Sequence, residues 1–246
     1  MTRILLVGTV HEEQGLATIS ALHAILEHAR PEVIFLEIPS AVFPSYDDGT
    51  RSNLESSAAR RYREDNDVAL VPVDLATPDE SFFRDCKYLD RRIATTSPTY
   101  CRLIDQNSHD IATYGFPYLN SHQCSKAWSD IYEAMHTGIQ RLSHDSRLSE
   151  IFAVWKHTNS LRDRAMLRSI TSTTSVGRSR TACFSSVRHI CSPFLRSREK
   201  GVAAAHHESP PSHLALLMRN SSCGTTCAPR GTGAKVFAGY ADKFGT

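Results

Sequence analysis

Residues 4–11 read Ile-Leu-Leu-Val-Gly-Thr-Val-His and residues 33–37 read Val-Ile-Phe-Leu-Glu, and these two stretches decide the fold. Each begins with four consecutive apolar residues, which is typical of a β-strand covered on both faces. Between them apolar residues recur at helical spacing, and Pro31 ends the predicted helix. A strand, a helix and a second strand in succession predict a right-handed parallel βαβ unit over residues 3–38.

The same alternation continues along the chain. The pattern predicts another helix over residues 54–64 and a third strand over residues 68–73, which ends at Asp74. From about residue 78 to residue 170 the apolar positions recur mostly with a helical period. The predicted fold is therefore α/β, with a parallel sheet beginning βαβαβ and a helical insertion at about 78–170.

Charge and composition change near Ile170. Residues 1–170 contain 18 Lys and Arg against 23 Asp and Glu, whereas residues 171–246 contain 10 against 3. The second stretch also holds 19 Ser and Thr and four of the seven cysteines, and it shows no sustained period of 2 or 3.6. The sequence therefore predicts an α/β domain over 1–170 and an irregular basic tail over 171–246.

The overall composition favours a globular cytoplasmic protein. Mean hydropathy is −0.31, and no apolar run approaches the roughly 20 residues of a membrane-spanning helix. The first apolar run is too short for the core of a signal peptide, and seven cysteines without a tight framework indicate reduced thiols. We expect no membrane partner. The low aromatic content of the tail and its lack of clustered Lys and Arg disfavour nucleic acid.

Polar residues follow the three predicted strands at the edge where parallel sheets bind ligands. They are His11, Glu37 and Asp74, although Asp74 alternatively caps the helix that follows it. Gly8 lets the backbone turn closely and Thr9 offers a hydroxyl, so we expect these two residues and Asp74 to contact the substrate. A histidine and carboxylates that converge on a cleft either bind a divalent metal ion or act as a general base and its orienting group.

Two arginines lie late in the predicted helical region. Arg162 and Arg164, if they face the edge of the sheet, would hold an anionic group or orient Glu37. The alternative is a charged helix face stabilised by pairs at spacing i,i+3 or i,i+4.

These residues together resemble a known superfamily. The strand ending in Gly-Thr-x-His at residues 8–11, the crossover helix and Arg-Pro-Glu-Val-Ile-Phe-Leu-Glu at residues 30–37 look like the TraB/pheromone-shutdown and TIKI superfamily. This superfamily is grouped with erythromycin-esterase-like and ChaN-like proteins. Arg-Asp-Arg-Ala-Met at residues 162–166 is similar to its Arg-containing helix. The resemblance covers residues 3–75 well and residues 160–168 loosely.

The resemblance implies a hydrolase acting on a peptide or small-molecule substrate, because TIKI members are metal-dependent proteases and other relatives include esterases. The site it implies contains two Gly-x-x-His motifs on neighbouring strands and a glutamate. His11 and Glu37 would then be catalytic residues and ligands of a divalent metal ion, with Arg162 and Arg164 as further site residues. Other relatives bind haem iron or have regulatory roles, so the alternative is a protein that binds a small ligand, haem or iron without catalysis.

The sequence departs from this pattern after Arg164, where no second Gly-x-x-His follows in the context of a strand. The codons of the tail permit one in another reading frame. If Ser185 and Ser186 use TCN codons, reading from the third base turns residues 183–186 into four apolar residues, and Gly-x-x-His can follow. We therefore hypothesise that translation leaves the ancestral frame near Ile170, so that the site is incomplete; the alternative is a natural basic tail with its own partner.

The reading-frame hypothesis makes a prediction about the gene. We expect the nucleotide sequence after the codon for Ile170 to encode, in the shifted frame, four apolar residues followed by Gly-x-x-His. Sequencing this region checks it. Ser185 and Ser186 encoded by AGY codons would rule the hypothesis out.

Overall fold

The apolar stretches that begin the sequence form parallel strands in a computed structural model of the chain, which describes residues 3–75, 77–142, 144–176 and 181–187. The strands are β1 (Arg3–Thr9), β2 (Val33–Pro39), β3 (Ala69–Asp74) and β4 (Thr181–Val187). They form one sheet in the order β1-β4-β2-β3, and each neighbouring pair is parallel. The predicted mixture of helices with a parallel sheet is confirmed.

Helices follow the first two strands and then fill most of the second half of the described chain. They are α1 (Ile19–Ala29), α2 (Phe43–Asp47), α3 (Leu54–Asp65), α4 (Glu80–Ala94), α5 (Pro98–Leu119), α6 (His122–Arg141) and α7 (Ser146–Val176). Helices α4 to α7 occupy the region where the sequence predicted a helical insertion. Among the helices of the described residues, none combines the length and the apolar character needed to cross a membrane.

The structure differs from the irregular backbone predicted after Ile170. Helix α7 continues to Val176, and residues 181–187 form β4. Thr, Cys, Phe and Val in this strand favour extended structure, and the facing backbone groups of β1 and β2 require hydrogen-bond partners. The strand was missed because its sequence shows no alternation of apolar and polar residues. The remaining part of the predicted tail, residues 188–246, lies outside the described residues.

Strand β4 lies between β1 and β2 in the sheet. Its Cys183 lies opposite Leu5 of β1 on one side and Ile34 of β2 on the other. Strands β1 and β2, which are consecutive in the described sequence, are therefore not neighbours in the sheet. The predicted βαβαβ arrangement at the start of the sheet is therefore not confirmed.

Side chains alternate along β2 between two layers of the structure. Ile34, Leu36 and Ile38 are buried in the main core, which also contains residues of α1 and α3. Phe35 points to the opposite face, where it packs with Met166 and Ile170 of α7 and with Val73 of β3. Helix α7 thus covers β2 and β3 from one side of the sheet, and the main core lies on the other.

Strand β1 lies at an edge of the sheet, and one of its faces is partly open. Ile4 and Leu6 are 49% and 48% exposed, whereas Val7 is buried in the main core. The prediction that β1 is covered on both faces is wrong for these two residues. Continuous apolar character did not distinguish an edge strand from a central one.

The loop between β1 and α1 is anchored on α5. The amide of Leu16 donates to the carbonyl oxygen of Ala112 at 2.9 Å, and Gln14 Nε2 donates to the carbonyl oxygen of Ser108 at 2.9 Å. Gly15 has a φ of 55°, and a Cβ atom placed on it would lie 2.1 Å from the Ala112 carbonyl oxygen. Glycine is therefore needed here both for its backbone conformation and for the close approach of α5.

We predict that Gly15→Ala destabilises the protein more than Gly49→Ala. Both glycines have positive φ, but a Cβ on Gly49 meets only the end of the flexible Arg60 side chain. We expect Gly49→Ala to lower the free energy of unfolding by about 1 kcal/mol, and Gly15→Ala to lower it by about 3 kcal/mol or more. Urea unfolding followed by circular dichroism measures both. Equal losses would contradict the proposed clash with α5.

Candidate functional site

His11 follows β1 directly and lies against the first turn of α3. Its ring Nδ1 is 3.4 Å from Glu55 Oε1, and its carbonyl oxygen accepts a hydrogen bond from the Leu54 amide at 2.8 Å. The Thr9 hydroxyl donates to the same Glu55 oxygen at 2.8 Å. The Glu55 carboxylate therefore connects the end of β1 to the imidazole that follows it. We call Thr9, His11 and Glu55 the histidine group.

The start of α3 fixes the position of Glu55. Asn53 accepts a hydrogen bond from the Ser56 amide at 2.8 Å, and Ser56 Oγ accepts one from the Asn53 amide at 3.0 Å, so the helix begins with a capping box. Glu55 stands in the first turn, where the helix dipole favours a negative charge. Its side chain is 4% exposed, whereas that of His11 is 19% exposed. Since Thr9 is fully buried, the imidazole is the more accessible partner of the carboxylate.

A second group of side chains forms around Arg162 at the ends of β2 and β3. Arg162 Nη2 donates to Glu37 Oε1 at 2.9 Å. Arg162 also binds both oxygens of Asp74, from Nε at 3.0 Å and from Nη2 at 2.6 Å. All three side chains are less than one-tenth exposed, and such paired geometry is what permits buried charges. We call these residues, together with Asp163, the arginine group.

Asp163 follows Arg162 on α7 and is itself 8% exposed. Its Oδ1 atom has no hydrogen-bond partner among the residues that the structure describes. Burial raises the pKa of the Asp163 carboxyl to about 7; the negative charges of Glu37 and Asp74 also raise it, while Arg162 lowers it. Asp163 therefore holds a proton in acid solution and loses it near neutral pH.

Alternation along the strands explains why the predicted site residues form two groups. Glu37 lies two residues beyond Phe35 and so shares the face of β2 that α7 covers. Thr9 lies two residues beyond Val7 and shares the face of the main core. Because β4 also separates β1 from β2, the structure brings His11 to Glu55 and brings Glu37 to Arg162.

The contacts of His11 and Glu37 are separate, and their predicted metal site stays a prediction. The Arg162 guanidinium already supplies the positive charge that the buried Glu37 carboxylate needs. His11 lies instead with Glu55, on the side of the main core. Within residues 3–75, 77–142, 144–176 and 181–187, no cluster of three or more His, Cys, Asp or Glu has the geometry to hold a metal ion.

The alternatives for Asp74 and the two arginines are resolved by their contacts. Asp74 binds Arg162, and the residue that caps α4 is Asp79, whose side chain accepts a hydrogen bond from the Phe82 amide. Arg162 is buried and orients Glu37, as one interpretation expected. Arg164 is exposed and donates to Ser160 Oγ at 3.1 Å, one turn earlier on its own helix. The structure therefore does not bring Arg164 to the arginine group.

The backbone of Gly8 forms hydrogen bonds with a side chain of the helical region. Asn120, which follows α5, accepts a hydrogen bond from the Gly8 amide at 2.7 Å and donates one to the Gly8 carbonyl oxygen at 3.2 Å. Its amide thus pairs with the edge strand β1 as a neighbouring strand would. The structure shows Gly8 as an anchor for α5, whereas its predicted contact with substrate stays a prediction.

Sequence reasoning missed Glu55 and Asp163. Asp163 stands three and seven residues before Met166 and Ile170, on the stripe of α7 that packs against the sheet, so its position on an apolar stripe was a usable signal. Glu55 lies 46 residues from Thr9 in the sequence. A capping box predicts the helix start that contains Glu55. No local sequence pattern predicts that Glu55 contacts Thr9.

Comparison of the chain with protein-family models, with curated proteins and with solved structures found no match.

We predict that Asp163→Asn makes the protein more stable, increasingly so as the pH rises. In the unfolded chain this carboxyl has the ordinary aspartate pKa of 3.8, and in the folded protein its pKa is about 7. Between these values the folded state holds a proton that the unfolded state lacks, so the free energy of unfolding falls as the pH rises. Asparagine has the same shape without the charge, so its advantage should approach about 4 kcal/mol above pH 7.

Urea unfolding at pH 5 and pH 8 measures this effect. Asp130→Asn is the matched control, because Asp130 is an exposed partner of Lys126 on α6. We expect the gain from Asp163→Asn to be larger at pH 8 than at pH 5, and the control to show no such increase. A gain that is the same at both pH values would show that Asp163 is ionised throughout.

Proposed function

We propose that this chain has a hydrolase scaffold of the TraB/TIKI type in which His11 acts as a general base toward water. The observation that supports this most directly is the Glu55 carboxylate, whose Oε1 lies 3.4 Å from His11 Nδ1. A carboxylate beside one ring nitrogen orients an imidazole for proton transfer. The histidine group also stands at the carboxyl end of β1, where α/β proteins with parallel sheets bind their ligands.

In this mechanism Nε2 of His11 takes a proton from a water molecule. The oxygen of that water attacks the carbonyl carbon of an ester or amide, and the proton then passes from Nε2 to the departing oxygen or nitrogen. Glu55 stabilises the positive imidazole that exists between the two transfers. The 3.4 Å separation is longer than a strong hydrogen bond, and such contacts often shorten when the substrate binds.

Thr9 and the start of α3 support the base without touching the reacting atoms. Thr9 is fully buried, so its hydroxyl holds the Glu55 carboxylate rather than attacking a substrate. The hydrogen bond from the Leu54 amide to the His11 carbonyl oxygen keeps the loop against α3. We propose that the substrate is a peptide or a small ester, and this mechanism does not use Glu37.

We predict that His11→Ala abolishes hydrolysis while His23→Ala preserves it. His23 is the matched control, because its Nε2 is 3.7 Å from Glu27 Oε1 and its side chain is 17% exposed, yet it lies within α1 and not at the end of a strand. Assays on panels of esters and peptides should show a loss of about 100- to 10,000-fold for His11→Ala. Glu55→Gln should cause an intermediate loss, since the imidazole remains but its orienting charge is gone.

Equal activity in the wild-type protein and His11→Ala would remove His11 from the mechanism. The alternative function, binding of a small ligand, haem or iron without catalysis, would then be the favoured proposal. Absorption spectra after addition of haem, and metal analysis of the purified protein, measure that alternative directly.

A further inference from the structure

The arginine group contains a buried carboxylate oxygen, Asp163 Oδ1, that lacks a hydrogen-bond donor within the described residues. Asp163 is more than nine-tenths buried, and its Oδ1 has no partner within the described part of the chain. A buried carboxylate oxygen without a donor is costly, because the hydrogen bonds it made with water are not replaced. The position therefore favours a ligand that donates a hydrogen bond, and a positively charged donor most of all.

The charged neighbours of Asp163 strengthen this preference for a cation. They are Glu37 on β2, Asp74 on β3 and Arg162 on α7. The nitrogen atoms Nε and Nη2 of Arg162 donate to Glu37 and Asp74. Two neighbouring carboxylates repel the charge of Asp163, which agrees with its raised pKa. A second positive charge beside Asp163 would relieve this repulsion.

One exposed leucine indicates what else the ligand contains. Leu75 follows Asp74 in the chain, two residues beyond Val73, and is 41% exposed. Its apolar side chain suits the hydrocarbon part of a ligand whose charged end binds a carboxylate.

We propose that the arginine group binds the primary ammonium group of an aliphatic amine, such as a lysine side chain or a small alkylamine. The ammonium donates a hydrogen bond to Asp163 Oδ1, and the aliphatic chain contacts Leu75. This site lies on the side of the sheet that α7 covers, whereas the histidine group lies on the side of the main core. It does not depend on the hydrolase proposal.

Three small compounds distinguish this proposal from weaker kinds of binding. n-Butylammonium chloride has the charge, the N–H donors and the aliphatic chain; tetramethylammonium chloride has the charge without a donor; and n-butanol has the chain without the charge. At pH 8 and equal ionic strength, we expect only n-butylammonium to raise the thermal unfolding midpoint in a saturable way. The rise should be about 3 °C at ten times the dissociation constant.

Three variants test which residues the stabilisation by n-butylammonium depends on. Asp163→Asn should lose the response to n-butylammonium, and Asp130→Asn, which alters an exposed carboxylate on α6, should keep it. His11→Ala should also keep it, so failure of the hydrolase proposal leaves this test unaffected. Equal responses to all three compounds, the absence of a saturable response in the wild type, or an undiminished response in Asp163→Asn would each overturn the proposal.

Discussion

The pairing of Arg162 with Glu37 and Asp74 is the interaction on which this edge of the sheet depends. It joins residues 125 and 88 positions apart in the sequence, and thereby fixes α7 on β2 and β3. With this contact made, Met166 and Ile170 lie one and two turns further along α7 and meet Phe35 and Val73. Loss of the guanidinium would leave carboxylates buried without a counter-charge, which typically costs about 3–5 kcal/mol. The apolar packing and the ion pair therefore support each other.

The sheet divides the polar residues at this edge between its two faces. On the side of the main core, Glu55 holds Thr9 and His11, and on the side of α7, Arg162 holds Glu37 and Asp74. Strands β1 and β2 have β4 between them, so their ends are about 10 Å apart at the usual strand spacing. At this separation and on opposite faces of the sheet, the two groups do not converge on a single reacting atom.

Strands β1 and β2 and the need of Glu37 for a partner were predictable, because they depend on the local sequence pattern. Four-residue apolar runs predicted β1 and β2, and a carboxylate directly after such a run predicted that Glu37 would need a partner. Residues that depend on distant contacts were not predictable in the same way. Glu55 meets Thr9 only because α3 begins beside the end of β1. Strand β4 was missed because backbone pairing with β1 and β2, rather than an alternating side-chain pattern, places it in the sheet.

The hypothesised shifted reading frame can be compared with the position of β4 in the sheet. In that frame the four apolar residues correspond to positions 183–186, within β4, and Gly-x-x-His would begin at the position of Val187, where β4 ends. In the shifted sequence, the histidine of this motif would follow the strand that lies between β1 and β2. The translated sequence has Val187 in place of that glycine, so the two groups of this chain are best understood as acting separately.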